Sequence, residues 1–128
     1  MRTDDGESAH PPATLTIRLE QLRPGLQMIH VGGRLDQAAA PALRRLIAEQ
    51  LEASPWAILL DLSAVSALET SGIATLISTA TRAAQTDIGL YLVLPDGELR
   101  QTLRSAGVHE LFEIHPTAES AMRAFPRR

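Results

Sequence analysis

Hydrophobic and polar residues alternate at the start of the chain. Between Thr14 and Glu20 every second position is apolar, which predicts a strand with one buried face. The turn signal Arg23-Pro24-Gly25 separates this strand from a second apolar run over Leu26–Val31. Because strands joined by a short turn pair with each other, we expect a β-hairpin here.

Four later segments have apolar residues spaced by three and four, which is the period of an amphipathic helix. These helices are predicted to begin near Pro41, Thr70, Asp96 and Thr117. Side-chain oxygens often bond the free N–H groups of a first helical turn. We therefore expect a hydroxyl of Thr70 or Ser71 to cap the second helix, Asp96 the third and Thr117 the last.

Apolar runs also lie between the predicted helices, at Trp56–Leu62, Ile88–Leu94 and Leu111–Ile114. The first two are continuous and bounded by breakers, a pattern typical of strands covered on both faces. The third predicts a short final strand. The segments Gly32–Ala40 and Ser63–Glu69 are expected to be loops that follow strands.

The resulting element order is ββαβαβαβα. It predicts an α/β domain with a mainly parallel mixed sheet of about five strands, about four helices and one antiparallel edge. The domain is expected to span residues 14–125, after a disordered leader over 1–13 and before a frayed tail over 126–128. Some of the larger apolar side chains are expected in its core: Trp56, Met122 and Phe125.

The composition excludes several classes of chemistry. The 128 residues include no cysteine, and all 12 basic Lys or Arg residues are arginines. Disulfides, thiolate catalysis, Cys-ligated zinc and every mechanism that needs a lysine are therefore ruled out. We expect neither enzymatic activity, nor a metal site, nor a cofactor.

Charge and hydropathy restrict the partners. The formal net charge is −3, and the leader accounts for −2 of it with one arginine against three acids, which leaves −1 on the body. With 3% aromatic residues as well, the chain has no feature that favours nucleic acid. No run approaches the ~20 apolar residues of a membrane span, and no secretory signal is recognisable. A cytoplasmic protein that does not enter the membrane is expected.

The loops that follow parallel strands hold the candidate functional groups: Asp36, Ser63, Ser66, Glu69, Thr70, Ser71, Asp96 and His115. A serine hydrolase would need G-x-S-x-G, whereas Glu69 and Ile73 flank Ser71. A phosphoryl-accepting receiver domain would need an acidic pair at the end of a strand and a lysine. Asp61 instead lies inside its predicted strand, no acidic pair precedes it, and the chain has no lysine. The pair Gly32-Gly33 matches no nucleotide-binding loop, and we expect it to serve backbone geometry or a bulge.

The segment Leu60–Ile73 remains, in which two hydroxyls and a glycine meet the start of an exposed amphipathic helix. One interpretation is a helix cap and nothing more. The other is a phosphate site, because the free N–H groups and the dipole at a helix N-terminus accept an anion. The residues by themselves leave both interpretations open.

Three short motifs in this part of the chain resemble a known family: Gly33-Arg-Leu-Asp36, Leu60-Asp-Leu-Ser63 and Glu69-Thr-Ser-Gly-Ile73. The STAS domain of anti-sigma factor antagonists typically shows G-x-[LIV]-D, L-D-[LM]-S and D-S-[ST]-G-[LI] in the same order. The resemblance extends from Thr14 to Phe125 and includes the order of the elements. Glu69 stands where the family usually has aspartate.

The resemblance implies that the domain binds an anti-sigma factor serine kinase and so releases a sigma factor. It also implies that this kinase, using ATP, phosphorylates Ser71, with Thr70 as the fallback, and that a PP2C-type phosphatase reverses the reaction. Asp36 and Glu69 are expected to support the phosphoacceptor. Contacts with the partner are expected at Gly33, Ser63, Thr70, Gly72 and Ile73.

The same resemblance has a second implication. Some STAS domains are adaptors without a phosphoswitch, either as accessory subunits of a phospholipid-transporting ABC complex or as scaffolds in signalling assemblies. Thr70 and Ser71 favour the switch, whereas Glu69 in place of aspartate favours a divergent member of the family in which the switch is silent.

Overall fold

The computed structural model describes residues 15–124, so the predicted leader, Thr14, Phe125 and the predicted tail lie outside the described residues. The first half contains β1 (Leu15–Arg23), β2 (Leu26–Leu35), α1 (Ala40–Glu52), β3 (Ala57–Leu68) and α2 (Thr70–Gln85). The second half contains β4 (Gly89–Val93), α3 (Glu98–Ser105), a 3₁₀ turn (His109–Leu111), β5 (Glu113–His115) and α4 (Ala118–Ala124).

The five strands form one sheet in the order β1-β2-β3-β4-β5. β1 and β2 pair in antiparallel fashion, as expected for a hairpin, and the other neighbouring strands are parallel. Since parallel strands need crossover connections, the intervening helices follow from this pairing. The predicted α/β class and element order are confirmed, and the carboxyl ends of β2 to β5 lie at one edge of the sheet.

The two faces of the sheet are covered differently. One face packs against α1, α2 and α3 through buried side chains such as Leu43 and Leu76. Each such side chain stabilises the fold by roughly 1.5–3 kcal/mol. The opposite face packs against α4 around Ala121, and it carries the polar side chains of His30 and Asp61 farther along its strands.

Two expected loops proved to be strand. β2 continues through Gly32–Leu35 and β3 continues through Ser63–Leu68, and the two segments pair with each other in parallel. The register between them shifts twice, and Gly33 has a φ of +88°. Because bulges absorb the irregularity, the pairing continues where glycine and serine indicated an end. The prediction that the glycine pair serves backbone geometry is confirmed.

Two of the three predicted caps are wrong. Glu69 is the N-cap of α2 without a side-chain bond, so Thr70 and Ser71 already belong to the helix. Gly97 precedes α3 in the same way, and Asp96 does not cap it. In contrast, the Thr117 hydroxyl accepts a hydrogen bond from the Ser120 N–H at 3.1 Å, as predicted.

One residue that we expected in the core, Trp56, lies at the surface. The Trp56 side chain is 37% exposed, so its assignment to the core is wrong. Its ring covers Gly25 in the turn between β1 and β2, and the Trp56 backbone N–H donates to the Gly25 carbonyl at 2.7 Å. Met122 packs against the core beneath α4 as expected. No helix within residues 15–124 is long and apolar enough to span a membrane.

Candidate functional site

Backbone hydrogen bonds tie the start of α2 to the end of β2. The Glu69 N–H donates to the Leu35 carbonyl at 3.1 Å, and the Ile73 N–H donates to the Glu69 carbonyl at 2.9 Å. Thr70, Ser71 and Gly72 lie between these bonds, in the first helical turn, where N–H groups have no intrahelical acceptor. The two candidate hydroxyls are therefore held by a fixed helical turn.

Gly72 allows this turn to lie against β2. It is buried, and a Cβ added there would meet the Leu35 carbonyl oxygen at 2.6 Å and the Leu35 Cγ at 2.7 Å. A backbone carbonyl within the sheet cannot yield to such a contact. The absence of a side chain at Gly72 thus sets how deeply the neighbouring Ser71 sits, and the buried position leaves Gly72 itself little surface for a partner.

Ser71 is half-buried, whereas Thr70 is exposed. The main-chain carbonyl of Ser71 accepts a hydrogen bond from Thr75 Oγ1 at 3.0 Å. Within residues 15–124, neither the Ser71 nor the Thr70 hydroxyl bonds to another protein group. Both hydroxyls are therefore available to an approaching molecule.

An open groove of about 850 Å³ lies in front of these hydroxyls. The start of α2, with Ser71 and Ile73, forms one wall, and the end of α3, with Thr102 and Ser105, forms the other. Glu69 is the charged member of the lining, which otherwise consists of hydroxyl, amide and aliphatic side chains. Such a surface suits docking of a protein better than tight binding of a charged metabolite.

The two candidate supporting carboxylates meet at an arginine. Asp36 Oδ1 accepts the Ala39 N–H at 3.0 Å, which orders the entry to α1. Arg34 Nη2 donates to Glu69 Oε2 at 3.1 Å, and Arg34 Nε lies 3.8 Å from Asp36 Oδ2. The Arg34 guanidinium thus links the end of β2 to the residue that precedes the phosphoacceptor candidates.

Ser63 belongs to a different cluster, centred on Asp61. The Ser63 hydroxyl donates to Asp61 Oδ1 at 2.6 Å, and the Ser63 N–H donates to the same oxygen at 3.0 Å. His30 Nδ1 lies 2.9 Å from the other Asp61 oxygen, and His30 Nε2 lies 2.9 Å from Glu20 Oε1. Burial alone would raise the pKa of Asp61, but the hydrogen bonds from Ser63 and His30 outweigh it and hold the pKa below its usual value.

The Asp61 cluster borders a second, smaller cavity. It has a volume of about 390 Å³, and Thr16, Arg18, His30 and Gly32 are among its lining residues. The described residues contain no group of three His, Asp or Glu side chains that could hold a metal ion. Both His30 nitrogens already face carboxylates, so neither is free to ligate a metal.

The structure thus brings together only some of the sequence-predicted residues. Glu69, Thr70, Ser71 and Ile73 line the groove, and Asp36 joins them through Arg34. Three of the expected partner contacts are not in the groove lining: Gly72, which is buried against Leu35, Ser63, which is bonded to Asp61, and Gly33, which lies at the bulge in β2.

Sequence reasoning missed Arg34 and the wall of the groove that α3 supplies. Arg34 occupies the variable position of the Gly33–Asp36 motif, so the motif gives it no weight, although an arginine between two motif residues was a usable signal. Thr102 and Ser105 carry no such signal, because their place beside α2 depends on how the helices pack.

Comparison with known proteins gave consistent matches. A family model of the STAS domain matches residues 19–121. The anti-sigma-F factor antagonist RsfB of Mycobacterium tuberculosis is 26% identical over 111 residues, which are 87% of this chain and 89% of that protein.

Solved structures are similar over the same extent. An anti-sigma factor antagonist from Mycobacterium paratuberculosis superposes with a TM-score of 0.80 at 29% identity, over 88% of this chain and 95% of that one. The anti-sigma factor antagonist SpoIIAA in its unphosphorylated form has a TM-score of 0.71 at 18% identity, over 88% of this chain and all of that one (100%). The second match supports the fold alone.

Proposed function

The chain belongs to the STAS domain family, and from this premise we propose that it is an anti-sigma factor antagonist controlled by phosphorylation of Ser71. In its unphosphorylated form it binds an anti-sigma factor serine kinase through the groove and so releases a sigma factor. The kinase uses ATP to phosphorylate Ser71, and a PP2C-type phosphatase removes the phosphate. The cycle takes place in the cytoplasm.

The state of the Ser71 hydroxyl carries this proposal. It lies half-buried on the wall of an open, nearly neutral groove and bonds to no other described residue. A kinase can therefore reach it without breaking a structural hydrogen bond. Relatives and structural neighbours that are named anti-sigma factor antagonists point the same way.

A phosphate at Ser71 is compatible with the fold. The free N–H groups and the positive end of the dipole at the start of the 16-residue helix α2 favour an anion there. Phosphorylation adds about −1.5 to −2 charge, compared with the −1 of the body. The switch acts on the docking surface, so the fold does not have to rearrange.

The change at the surface is enough to switch binding. A partner that covers the groove must desolvate the phosphate and face its charge next to Glu69. Like charges brought together at an interface cost several kcal/mol, so we expect an affinity loss of about a hundredfold, or about 2.7 kcal/mol.

The remaining candidate residues have separate proposed roles. Asp36 orders the turn between β2 and α1, and Glu69 orders the start of α2 through its Arg34 pair. Thr70 and Ile73 offer contacts on the groove side, and Thr70 is the fallback acceptor. Gly72 acts by setting the depth of Ser71, while Gly33 and Ser63 would contact only a partner that extends beyond the groove.

Glu69 supports a second candidate function. Its carboxylate is already paired with Arg34 at 3.1 Å, so it is less free to orient a kinase or its substrate hydroxyl. An adaptor without a phosphoswitch, docked on a transporter ATPase or in a signalling scaffold, would need only the groove. Purification of the complex distinguishes the two, because the adaptor copurifies with the transporter or scaffold and not with a serine kinase.

The decisive experiment incubates the purified protein with each anti-sigma factor kinase of its source organism and ATP, and locates phosphate by mass spectrometry. We expect one phosphate at Ser71, none in Ser71→Ala, and a normal level in the matched control Ser66→Ala, which changes an exposed serine of β3. Phosphate outside Thr70 and Ser71, or no phosphorylation by any of these kinases, would overturn the phosphoswitch.

A further inference from the structure

We propose that Arg34 is the phosphate-sensing residue of this site, and that its guanidinium leaves Glu69 for the phosphate once Ser71 is phosphorylated. This inference rests on the proposed phosphorylation of Ser71. It adds a second event to the switch, because the Glu69 carboxylate loses its cation at the moment the phosphate is added.

The present bonds of Arg34 leave it free to move. Its side chain is 53% exposed, and its partner Glu69 is 48% exposed. The contact with Glu69 is a single 3.1 Å hydrogen bond, and the contact with Asp36 at 3.8 Å is longer than a hydrogen bond. Exposed pairs of this kind contribute little to stability, so leaving Glu69 costs Arg34 little free energy.

The backbone next to Arg34 contacts the segment that carries Ser71. The next residue, Leu35, accepts the Glu69 N–H and lies against Gly72. The end of β2 therefore contacts the chain on both sides of Ser71. The Arg34 side chain already spans to Glu69, two residues before Ser71, and the proposal requires that rotation of its outer bonds carry the guanidinium from Glu69 to a phosphate at Ser71.

Charge favours the exchange. A carboxylate carries −1, whereas a phosphoserine carries about −1.5 to −2 with three acceptor oxygens. The planar guanidinium can donate two parallel hydrogen bonds to phosphate, compared with the single bond it now makes to Glu69. The residues that line the groove include no cation, so Arg34 has no competitor among them.

Other arginines near the groove are engaged elsewhere. Arg44 Nη2 lies 3.4 Å from Thr75 Oγ1, one turn beyond Ser71. Arg104 is on α3, and its Nη2 lies 3.6 Å from Asp96 Oδ1. Arg104 is therefore a matched control, since it belongs to α3 without lining the groove and its removal changes the net charge by the same amount.

The exchange changes what a partner meets. Before phosphorylation, Arg34 partly neutralises Glu69 at the rim of the groove. Afterwards the guanidinium is on the phosphate, and the Glu69 carboxylate faces the partner without a cation. Two acidic groups, rather than one, then oppose docking.

The test uses the full chain with phosphoserine installed at position 71 during synthesis, so that no kinase is needed. The second ionisation of phosphoserine, near pH ~6, is followed by ³¹P NMR. We expect Arg34→Met to raise this phosphoserine pKa by about 0.5 unit, because a nearby cation favours the dianion. Arg34→Lys, which keeps the charge and loses the fork, should fall between wild type and Arg34→Met.

The control Arg104→Met should shift the same pKa by less than about 0.2 unit, because its guanidinium is paired with Asp96 and is not part of the groove lining. Equal shifts in the Arg34 and Arg104 variants, or no shift in Arg34→Met, would overturn the proposal. Circular dichroism of each variant verifies that the fold is retained.

Release of Glu69 has its own readout in the Nε–H NMR signal of Arg34. Glu69→Gln should move this signal in the unphosphorylated protein and leave it in place when Ser71 carries phosphate. A displacement of equal size in both forms would contradict the exchange. Because the phosphate is installed synthetically, these results stand whether or not a kinase modifies Ser71, and kinase assays test the proposed function separately.

Discussion

Two serines, Ser63 in the middle of β3 and Ser71 at the start of α2, differ in what their hydroxyl groups do. The Ser63 hydroxyl donates a 2.6 Å bond to Asp61, within a cluster that continues through His30 to Glu20. The Ser71 hydroxyl bonds to no other described residue and faces an open groove. One hydroxyl is part of the structure, and the other is available to a partner.

The difference shows why residue type alone does not identify a site. Both serines belong to motifs of the resembled family. Asp61 lies two residues before Ser63 along the same strand and accepts a hydrogen bond from its hydroxyl. Ser71 is on a helical turn whose nearest carboxylate, Glu69, is bonded to Arg34 instead. The neighbouring carboxylate and its partner decide which hydroxyl stays free.

The largest expected effect on stability comes from substituting the glycines near the two serines, Gly72 beside Ser71 and Gly32 beside the Asp61 cluster. Gly72→Ala should destabilise the protein by about 2 kcal/mol or more, because the new Cβ would lie 2.6 Å from the Leu35 carbonyl oxygen. Gly32→Ala should cost less than about 1 kcal/mol, since its nearest obstacle is the rotatable Thr16 hydroxyl at 2.7 Å. Urea denaturation of both variants measures the difference, and equal losses would show that the close approach at Gly72 is unimportant.

A smaller effect is expected at Asp61. Asp61→Asn should cost about 1–2 kcal/mol at pH 7, because the hydrogen bonds from Ser63 and His30 favour the ionised form. The pKa of Asp61 is lowered in the folded state, so its contribution is complete above the ordinary value of about 3.9 and is lost as the pH falls through the folded pKa.

The gap in stability between wild type and Asp61→Asn should therefore narrow below about pH 4. Urea midpoints measured from pH 7 to pH 3 test this expectation. The corresponding gap between wild type and Ser63→Ala, which removes one donor to Asp61, should also narrow below about pH 4, but by a smaller amount. A gap that stays constant over the whole range would mean that Asp61 gains nothing from its partners.

The smallest effect compares the serines directly. Ser63→Ala should lower the free energy of unfolding by about 1 kcal/mol, because it removes a charge-assisted hydrogen bond at an exposed position. Ser71→Ala should change it by less than about 0.5 kcal/mol, since its hydroxyl bonds to no other described residue. Thermal denaturation of the two variants measures this difference, and a larger loss at Ser71 would reverse the assignment.

Much of the fold could be predicted from the sequence. The alternation of apolar and polar residues near the start of the chain predicted the hairpin, and the spacing of apolar residues in the later segments predicted the order of helices and strands. The ends of β2 and β3 could not be predicted, because Gly32-Gly33 and the small residues after Leu62 resemble breakers when taken singly. Their parallel pairing, with two register shifts, depends on tertiary contacts that local patterns do not record.

The site was predictable where a motif covers it and not elsewhere. Three of the residues that the sequence nominated at the start of α2, Glu69, Thr70 and Ser71, do line one groove. Arg34 and the α3 wall required the folded chain, because one fills a variable motif position and the other is placed by helix packing. The expected hydroxyl cap failed because Glu69 already closes the helix end through its backbone.

The bond from the Glu69 N–H to the Leu35 carbonyl has a consequence for how Ser71 is recognised. The segment around Ser71 cannot be drawn out as an extended peptide without detaching the helix from the sheet. Any protein that acts on Ser71 must therefore recognise a three-dimensional epitope, assembled from a helical turn, a strand end and the neighbouring helix. The same residues cut out as a short linear fragment would lack the features by which such a protein identifies its target.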